Sequence, residues 1–438
     1  MVSRVVRMEN EFEHTVYKDT KIPLDSYPDQ PAEYEELTEL LSDEQKKVVH
    51  LGEAFWVSIL MVNHMPLFFK ALLFPFMLIY YSFNKEKRRK WIKRLSFSAY
   101  VSIDLIRSVW NLPGLYLFHL LHKKVSPLST YRKFKVACEK VVNFPAGDEQ
   151  FDVNCYLFCD NSISTRKKAE PVQYESIVLH FHGGGFCASS VRGHEAYLRK
   201  WAKTLHLPII SVDYSLAPEF PFPRAFNECV SVYKYLLTSQ ASEDLGIKFN
   251  KIILAGDSAG GNMVTAVTLW TLENQVKAPD GLMLIYPSLN RTPTLMNDSV
   301  TYLRNDPVLP LSFRMCYTVA YISSVWNTNE KQWNLIPDEN NEQQFREYFV
   351  TPLAVPSELL VNFPNCCFIT GDRDPLWNDT VQFFNMLQAH SNNFKICYRI
   401  PGVSHGFFGA GKAMPQTSGF AFKTSVEWIL KFTNGETK

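Results

Sequence analysis

The chain predicts an α/β protein: a mostly parallel central sheet with helices between its strands and a helical cap above it. Three observations carry that reading. From about Lys135 onward, short β-rich runs alternate with helical ones. The pentapeptide Gly256-Asp257-Ser258-Ala259-Gly260 falls between an apolar strand and an apolar helix. A second glycine cluster, His182-Gly183-Gly184-Gly185, follows another strand. The chain divides into a polar acidic segment (1–50), an apolar and basic helical region (51–134) and the α/β domain (135–438), with a cap insertion at about 307–348.

Residues 1–50 carry 12 Asp and Glu against 6 Lys and Arg and read as a tail that becomes a polar helix near Ala32–His50. Pro23, Pro28 and Pro31 argue against order before it. The apolar stretch 54–83 is broken by Asn63, His64, Pro66, Lys70 and Pro75. A single spanning helix wants about 20 apolar residues, so two readings stand: a pair of buried or amphipathic helices, or contact with a membrane or lipid-droplet surface. The run KEKRRKWIKR (85–94) follows directly; it suits a solvated helix face and equally suits anionic phospholipid through 54–94.

In the α/β domain, Ser176–His182, Pro208–Asp213, Lys251–Ala255, Leu282–Tyr286, Cys366–Thr370 and Phe394–Ile400 read as strands. Ala225–Ser239, Ala259–Glu273, Leu376–His390 and Ser418–Phe432 read as helices. Pro307–Tyr348 interrupts the alternation, as an insertion above a sheet would.

Composition narrows the function. With 438 residues, 46% of them hydrophobic, the chain is not a disordered one. A net charge of +1 speaks against a globally basic nucleic-acid binder. Nine cysteines without a C-x-x-C pair suit a reducing compartment. With no apolar signal segment in the first 50 residues, the expected location is cytoplasmic.

Gly256-Asp257-Ser258-Ala259-Gly260 fits G-x-S-x-G. Small residues let a strand turn sharply into a helix and lift the Ser258 hydroxyl above the sheet. In the His182–Gly185 run, glycines allow successive N–H groups to turn inward, where fixed donors stabilise the negative charge that builds up during acyl transfer. Gly183, Gly184 and Ala259 are the candidate oxyanion donors. The serine needs a base, and the base needs an orienting carboxylate. His405 and His390 are the two histidines downstream of Ser258; His405 follows a strand end, whereas His390 falls on a predicted helix. Asp374, Asp372 and Asp379 compete for the carboxylate.

HFHGGGF (180–186), DYSLAPE (213–219), FPRA (222–225), GDSAGGN (256–262), DPVLPLS (306–312), Asp374-Pro375-Leu376 and His405-Gly406-Phe407 resemble the hormone-sensitive lipase family of α/β hydrolases. The resemblance implies the α/β-hydrolase fold. It implies Ser258 as nucleophile with Asp374 and His405 as its triad partners, and Gly183, Gly184 and Ala259 as oxyanion donors. His182, Gly185, Gly256, Asp257 and Gly260 complete the motifs. No metal or cofactor is required. The family often carries Asp-Glu-Gly just after the catalytic aspartate turn, where this chain has Asn378-Asp379-Thr380; the stretch between Leu311 and Asp374 is too short for a long regulatory module.

The function expected from these residues is hydrolysis of carboxylic esters of lipids, acylglycerols or sterol esters, through an acyl-enzyme. A small-ester or arylacetamide-type carboxylesterase is the alternative, and a non-catalytic ligand-binding member of the fold is the third reading.

Overall fold

The computed structural model of the protein describes all residues except 1–4, 7–13, 19, 25–26, 28–33, 63–66, 97–101, 115, 142–149, 164–169, 293–296, 307, 328–331, 334–345 and 438. The short strands β1 (Val5–Val6) and β2 (Thr15–Tyr17) precede six helices. These are α1 (Tyr34–Glu39), α2 (Asp43–Val62), α3 (Leu67–Phe83), α4 (Lys85–Ser96), α5 (Ile103–Trp110) and α6 (Tyr116–Val125). The α/β domain continues with β3 (Thr130–Glu139), β4 (Gln150–Cys159), β5 (Val172–Phe181), α7 (Val191–Leu205), β6 (Ile209–Asp213), α8 (Arg224–Leu236), α9 (Ser239–Leu245), β7 (Ile247–Asp257), α10 (Ala259–Glu273) and β8 (Gly281–Ile285). It closes with α11 (Asp298–Tyr302), α12 (Leu311–Ile322), β9 (Trp326–Asn327), β10 (Gln332–Trp333), α13 (Ser357–Leu360), β11 (Cys366–Gly371), α14 (Trp377–His390), β12 (Lys395–Ile400) and α15 (Pro415–Asn434).

The main sheet runs in the order β1-β2-β12-β11-β8-β7-β5-β6-β4-β3. Its centre, from β12 to β6, is parallel; β2 and β4 join its two sides antiparallel. A parallel sheet must be covered on both faces. The residues obey: all of β8 and β11 is buried, and so is every residue of α10 from Ala259 to Thr271. Register sets the functional edge. Phe181 lies opposite Gly256, Asp257 opposite Ile285, and Gly371 opposite Ile400. The loops after these strands therefore open on one side of the sheet, where sites in this architecture form.

The predicted helix Ala259–Glu273 has those bounds in the structure, and the six predicted strands are all present. Unpredicted in the α/β domain are the antiparallel pair β3–β4, in register from Thr130↔Cys159 to Glu139↔Gln150, the helix α7 and the short helices α9, α11 and α13. The expectation of disorder before Ala32 is corrected where the structure describes that segment. Thr15–Tyr17 pairs with Cys397–Arg399, and Ile22 exchanges two hydrogen bonds with the Asn385 side chain, at 2.8 and 2.9 Å. A sheet edge recruits a short strand through backbone bonds, which need little sequence signal. Pro28 and Pro31 lie outside the described residues.

The expected helix Ala32–His50 is two helices, divided at Leu40–Ser42, where the Ser42 N–H donates to Gly402 O at 2.7 Å. The basic run 85–94 is not a wholly solvated face. Arg88 is buried, paired with Glu53 at 2.6 Å and bonded to Tyr81 O and to the His50 ring. In this way α4 is held to α2 and α3, beside a small cluster of Ala54, Val57 and Tyr81. No helix among the described residues is long and apolar enough to cross a membrane. Of the insertion expected at 307–348, the described residues form α12 and the β9–β10 pair; 334–345 lie outside them.

Candidate active site

Ser258 stands between β7 and α10 with φ +56 and ψ −116. A side chain in that backbone region is strained and persists because its surroundings fix it. Here the Ser258 N–H donates to Ile285 O at 2.9 Å, and its carbonyl accepts from Ser288 and Asn262. The close turn also needs Gly260: a Cβ there would lie 2.0 Å from Phe181 O. Strand β5 thus passes directly against the first turn of α10, and only hydrogen fits between them.

Ser258 Oγ is 2.9 Å from His405 Nε2, and His405 Nδ1 is 2.8 Å from Asp374 Oδ2. With Nδ1–H donating to the carboxylate, Nε2 is the free base facing the hydroxyl. Asp374 is fully buried, and its other oxygen accepts the Leu376 N–H at 2.8 Å. The Tyr286 and His405 rings pack edge to face, centroids 4.7 Å apart. The three residues come from the ends of β7, β11 and β12, so the parallel register gathers them.

The rival carboxylates go elsewhere. Asp372 accepts from the Gly402 N–H at 2.8 Å and pairs with Arg399 at 3.1 Å. Asp379 is buried against Arg314 at 3.4 Å, and burial pushes its carboxyl up to about 6. His390 ends α14 on the surface.

The glycine loop expected to hold the oxyanion donors follows β5. His182 is buried and stacks on Tyr214; desolvation lowers its pKa to about 4, and its Nδ1–H donates to Gly183 O at 2.7 Å. The Gly183 N–H is already engaged, donating to Asp257 Oδ1 at 3.2 Å. That differs from the expectation of a free donor at 183. Gly184 O accepts from Cys187 and Ala188. In a trans peptide C=O and the next N–H point opposite ways, so the bond at Gly183 O turns the Gly184 N–H away from His182, and the bonds at Gly184 O turn the Gly185 N–H away from Cys187 and Ala188. Neither has an acceptor among the described residues. Gly184, at φ +120, also has no room for a side chain, since a Cβ would lie 2.1 Å from Ala188 O. Ala259 N opens α10, where helix N–H groups are unpaired.

Asp257 sits behind the loop. It accepts from Tyr197 Oη at 3.0 Å and lies 3.4 Å from His194 Nε2. Burial opposes charge on both partners, and the pairing prevails: Asp257 is held below the usual carboxylate range and His194 above the usual imidazole one. A further buried carboxylate, Asp306, accepts Ser404 Oγ–H at 2.6 Å and two backbone N–H groups, from Val308 and Leu309. It holds the residue before His405. The sequence placed Asp257 in its motif and Asp306 in DPVLPLS without a role for either carboxylate; their partners, His194 with Tyr197 and Ser404, carry no local signal that pairs them. Among the described residues no group of three or more His, Cys, Asp or Glu is placed to hold a metal ion.

Fold and motif order together define an α/β hydrolase, and the chain belongs to that family: the profile of the alpha/beta hydrolase fold matches residues 178–409. Within it the chain is similar to human hormone-sensitive lipase, 48% identical over 146 residues, which is 33% of this chain and 13% of that lipase. Across four hormone-sensitive lipases the match spans less than a quarter of their length. Lipase 2 of Moraxella sp. (strain TA144) is 27% identical over 285 residues, 61% of each chain. Among solved structures, a thermostable carboxylesterase from a metagenomic library superposes with a TM-score of 0.59 at 21% identity, over 77% of this chain and 99% of that one. An esterase of Pyrobaculum calidifontis gives 0.59 at 19%, over 78% and 96%. At these identities the structures show a shared fold.

Proposed function

We propose that the protein is a serine hydrolase of carboxylic esters, with lipid esters such as acylglycerols or sterol esters as its substrates. The observation that carries the reading is the hydrogen-bonded chain Ser258–His405–Asp374 at the carboxyl edge of the sheet. Ser258 Oγ attacks the ester carbonyl while His405 Nε2 takes its proton; Asp374 keeps the imidazole in the right tautomer and stabilises its cation. Gly184 and Ala259, with Gly185 in the place expected of Gly183, donate to the oxyanion. His405 then protonates the leaving alkoxide. In the second half, water activated by His405 releases the acid.

A lipid surface is the proposed partner. Helix α6 supports it by an inverted amphipathic pattern. His119, on its protein side, bonds Glu195 of α7 at 2.7 Å, whereas Leu117, Leu121 and Val125 are 72%, 51% and 70% exposed, next to Lys123 and Lys124. In the 54–94 stretch, Phe76, Ile79 and Phe83 of α3 are also exposed, as are Lys85 and Lys90 of the following α4. Apolar side chains rimmed by cations suit an anionic lipid interface.

Two assays test the reading. Purified protein is given nitrophenyl esters of rising acyl length alongside emulsified diacylglycerol and cholesteryl ester. Preference for the emulsified lipids supports it; activity confined to short soluble esters replaces it with the small-ester reading, and activity on none rejects both. Flotation with phosphatidylserine vesicles tests the surface, where Leu117→Glu/Leu121→Glu is expected to abolish binding. Unchanged binding rejects α6 as the contact.

A further inference from the structure

We infer that Arg107, on a helix outside the sheet and remote in sequence from every motif, is a positioning residue for the oxyanion loop. This rests on the ester-hydrolase reading above.

The guanidinium of Arg107 makes four hydrogen bonds. Nε donates to Cys187 O at 2.6 Å, Nη2 to Ala217 O at 2.9 Å, and Nη1 and Nη2 to the two oxygens of Glu219 at 2.6 Å each. Its acceptors bracket the loop. Cys187 is the residue whose N–H bonds Gly184 O, the bond that fixes the Gly184–Gly185 peptide plane. Ala217 is joined to the loop from the other side, its N–H donating to Phe186 O at 2.9 Å. One planar fork thus ties together both chain segments that set the direction of the Gly185 N–H. A lysine, a point charge on a flexible stem, cannot reproduce that fork.

Helix α5 reinforces the hold at its far end. One turn after Arg107, Asn111 Oδ1 accepts the Ser189 N–H at 2.7 Å. Trp110 packs on the Tyr317 ring of α12, centroids 5.8 Å apart, and that ring abuts Gly185 closely enough that a Cβ there would lie 2.8 Å from it. The loop Gly184–Ser189 is therefore fastened at Cys187 to α5, at Ser189 to Asn111 just after it, and is backed by α12. Oxyanion stabilisation depends on donors that need no reorganisation, and the residues that prevent reorganisation here come from the helical region before the catalytic motifs.

The test separates positioning from stability. Fluorophosphonate titration counts competent sites in wild type, Arg107→Met, Arg107→Lys and Glu219→Gln. The kcat per titrated site and KM are measured on nitrophenyl butyrate. Ki is measured for an aryl trifluoromethyl ketone, to whose carbonyl carbon Ser258 Oγ adds while its proton passes to His405 Nε2. Arg107→Met is expected to lower kcat per site about tenfold to hundredfold with KM changed less than about threefold, and to raise the ketone Ki by the same factor. Added guanidinium is expected to restore part of that kcat, and Arg107→Lys to fall between. Glu219→Gln keeps both carbonyl bonds and is expected to stay within about threefold of wild type. If Arg107→Met fails to fold, the Arg107→Lys values decide. The proposal is overturned if kcat per titrated site stays within about threefold of wild type, because any loss is then a loss of folded protein. It is overturned equally if KM alone moves. Should wild type neither react with the fluorophosphonate nor cleave the ester, the ester-hydrolase reading falls first.

Discussion

Replacing Asp374 by Asn tests the triad assignment in a way that leaves the packing almost intact. Asp374 is fully buried, with Oδ1 accepting the Leu376 N–H and Oδ2 facing His405 Nδ1, both at 2.8 Å. An asparagine of the same shape keeps its oxygen for Leu376 and presents an NH2 group to the imidazole. His405 then accepts at Nδ1 and carries its proton on Nε2, the atom 2.9 Å from Ser258 Oγ. A protonated Nε2 cannot take the serine proton. The corresponding change in protease triads costs about 10⁴ in kcat, or about 5.5 kcal/mol at about 1.4 kcal/mol per factor of ten. The assay is kcat on nitrophenyl butyrate per folded protein, with near-UV circular dichroism confirming the fold. Asp372→Asn is the control. Asp372 serves Arg399 and Gly402, so its loss is expected to lower the melting temperature and leave kcat within about threefold. A kcat for Asp374→Asn within tenfold of wild type, or an equal loss in Asp372→Asn, would refute the assignment.

Three further outcomes follow from particular contacts. Gly260→Ala forces a methyl to within 2.0 Å of Phe181 O, which is backbone and cannot step aside; a loss of about 3 kcal/mol or more in urea unfolding is expected, and a loss under about 1 kcal/mol contradicts the close approach. Glu44 accepts from the Gln416 and Thr417 N–H groups at the start of α15, so Glu44→Ala is expected to cost about 1–2 kcal/mol, and a neutral result would show that α1–α2 does not dock there. Burial pushes Asp306 from the ordinary 3.8 up to about 6. Between about pH 4 and 6 the folded chain holds a proton that the unfolded chain has lost, so this group's contribution falls as pH rises, by about 3 kcal/mol in all. Asp306→Asn removes that term; its melting temperature relative to wild type is expected to rise from pH 4 to pH 7, and a difference that does not vary with pH contradicts burial as the cause.

What could be read from the chain was what local residues encode. Ser258, the run beginning at His182, and His405 after a strand end all announce themselves through motif and position, and the strands that carry them are apolar runs bounded by turn residues. Asp374 needed the family resemblance, because spacing alone left Asp372 and Asp379 in play. The unread part depends on partners far apart in sequence. Arg88 looks like one cation among many until Glu53 and His50 are placed beside it. The pair β3–β4 was missed although the exposed and buried residues of β3 partly alternate, because Lys133 and Lys135 on its solvent face and the half-buried Arg132 on the other make the run read as polar. Thr15–Tyr17 is three residues long, and its pairing with β12 spans most of the chain. Gly183 was expected among the oxyanion donors from its place in the motif; its N–H is drawn to Asp257, a contact between the loop after β5 and the end of β7 that no local pattern contains.

The proposed hydrolysis requires Ser258 to be the nucleophile of an acyl-transfer reaction. Its most direct test is intact-protein mass spectrometry after brief acid quench during turnover of a nitrophenyl ester, with the modified peptide sequenced. An added acyl mass is expected on Ser258, absent in Ser258→Ala, which stays folded and loses esterase activity. Turnover with no acyl adduct on Ser258, or persistent activity in purified Ser258→Ala, would contradict it.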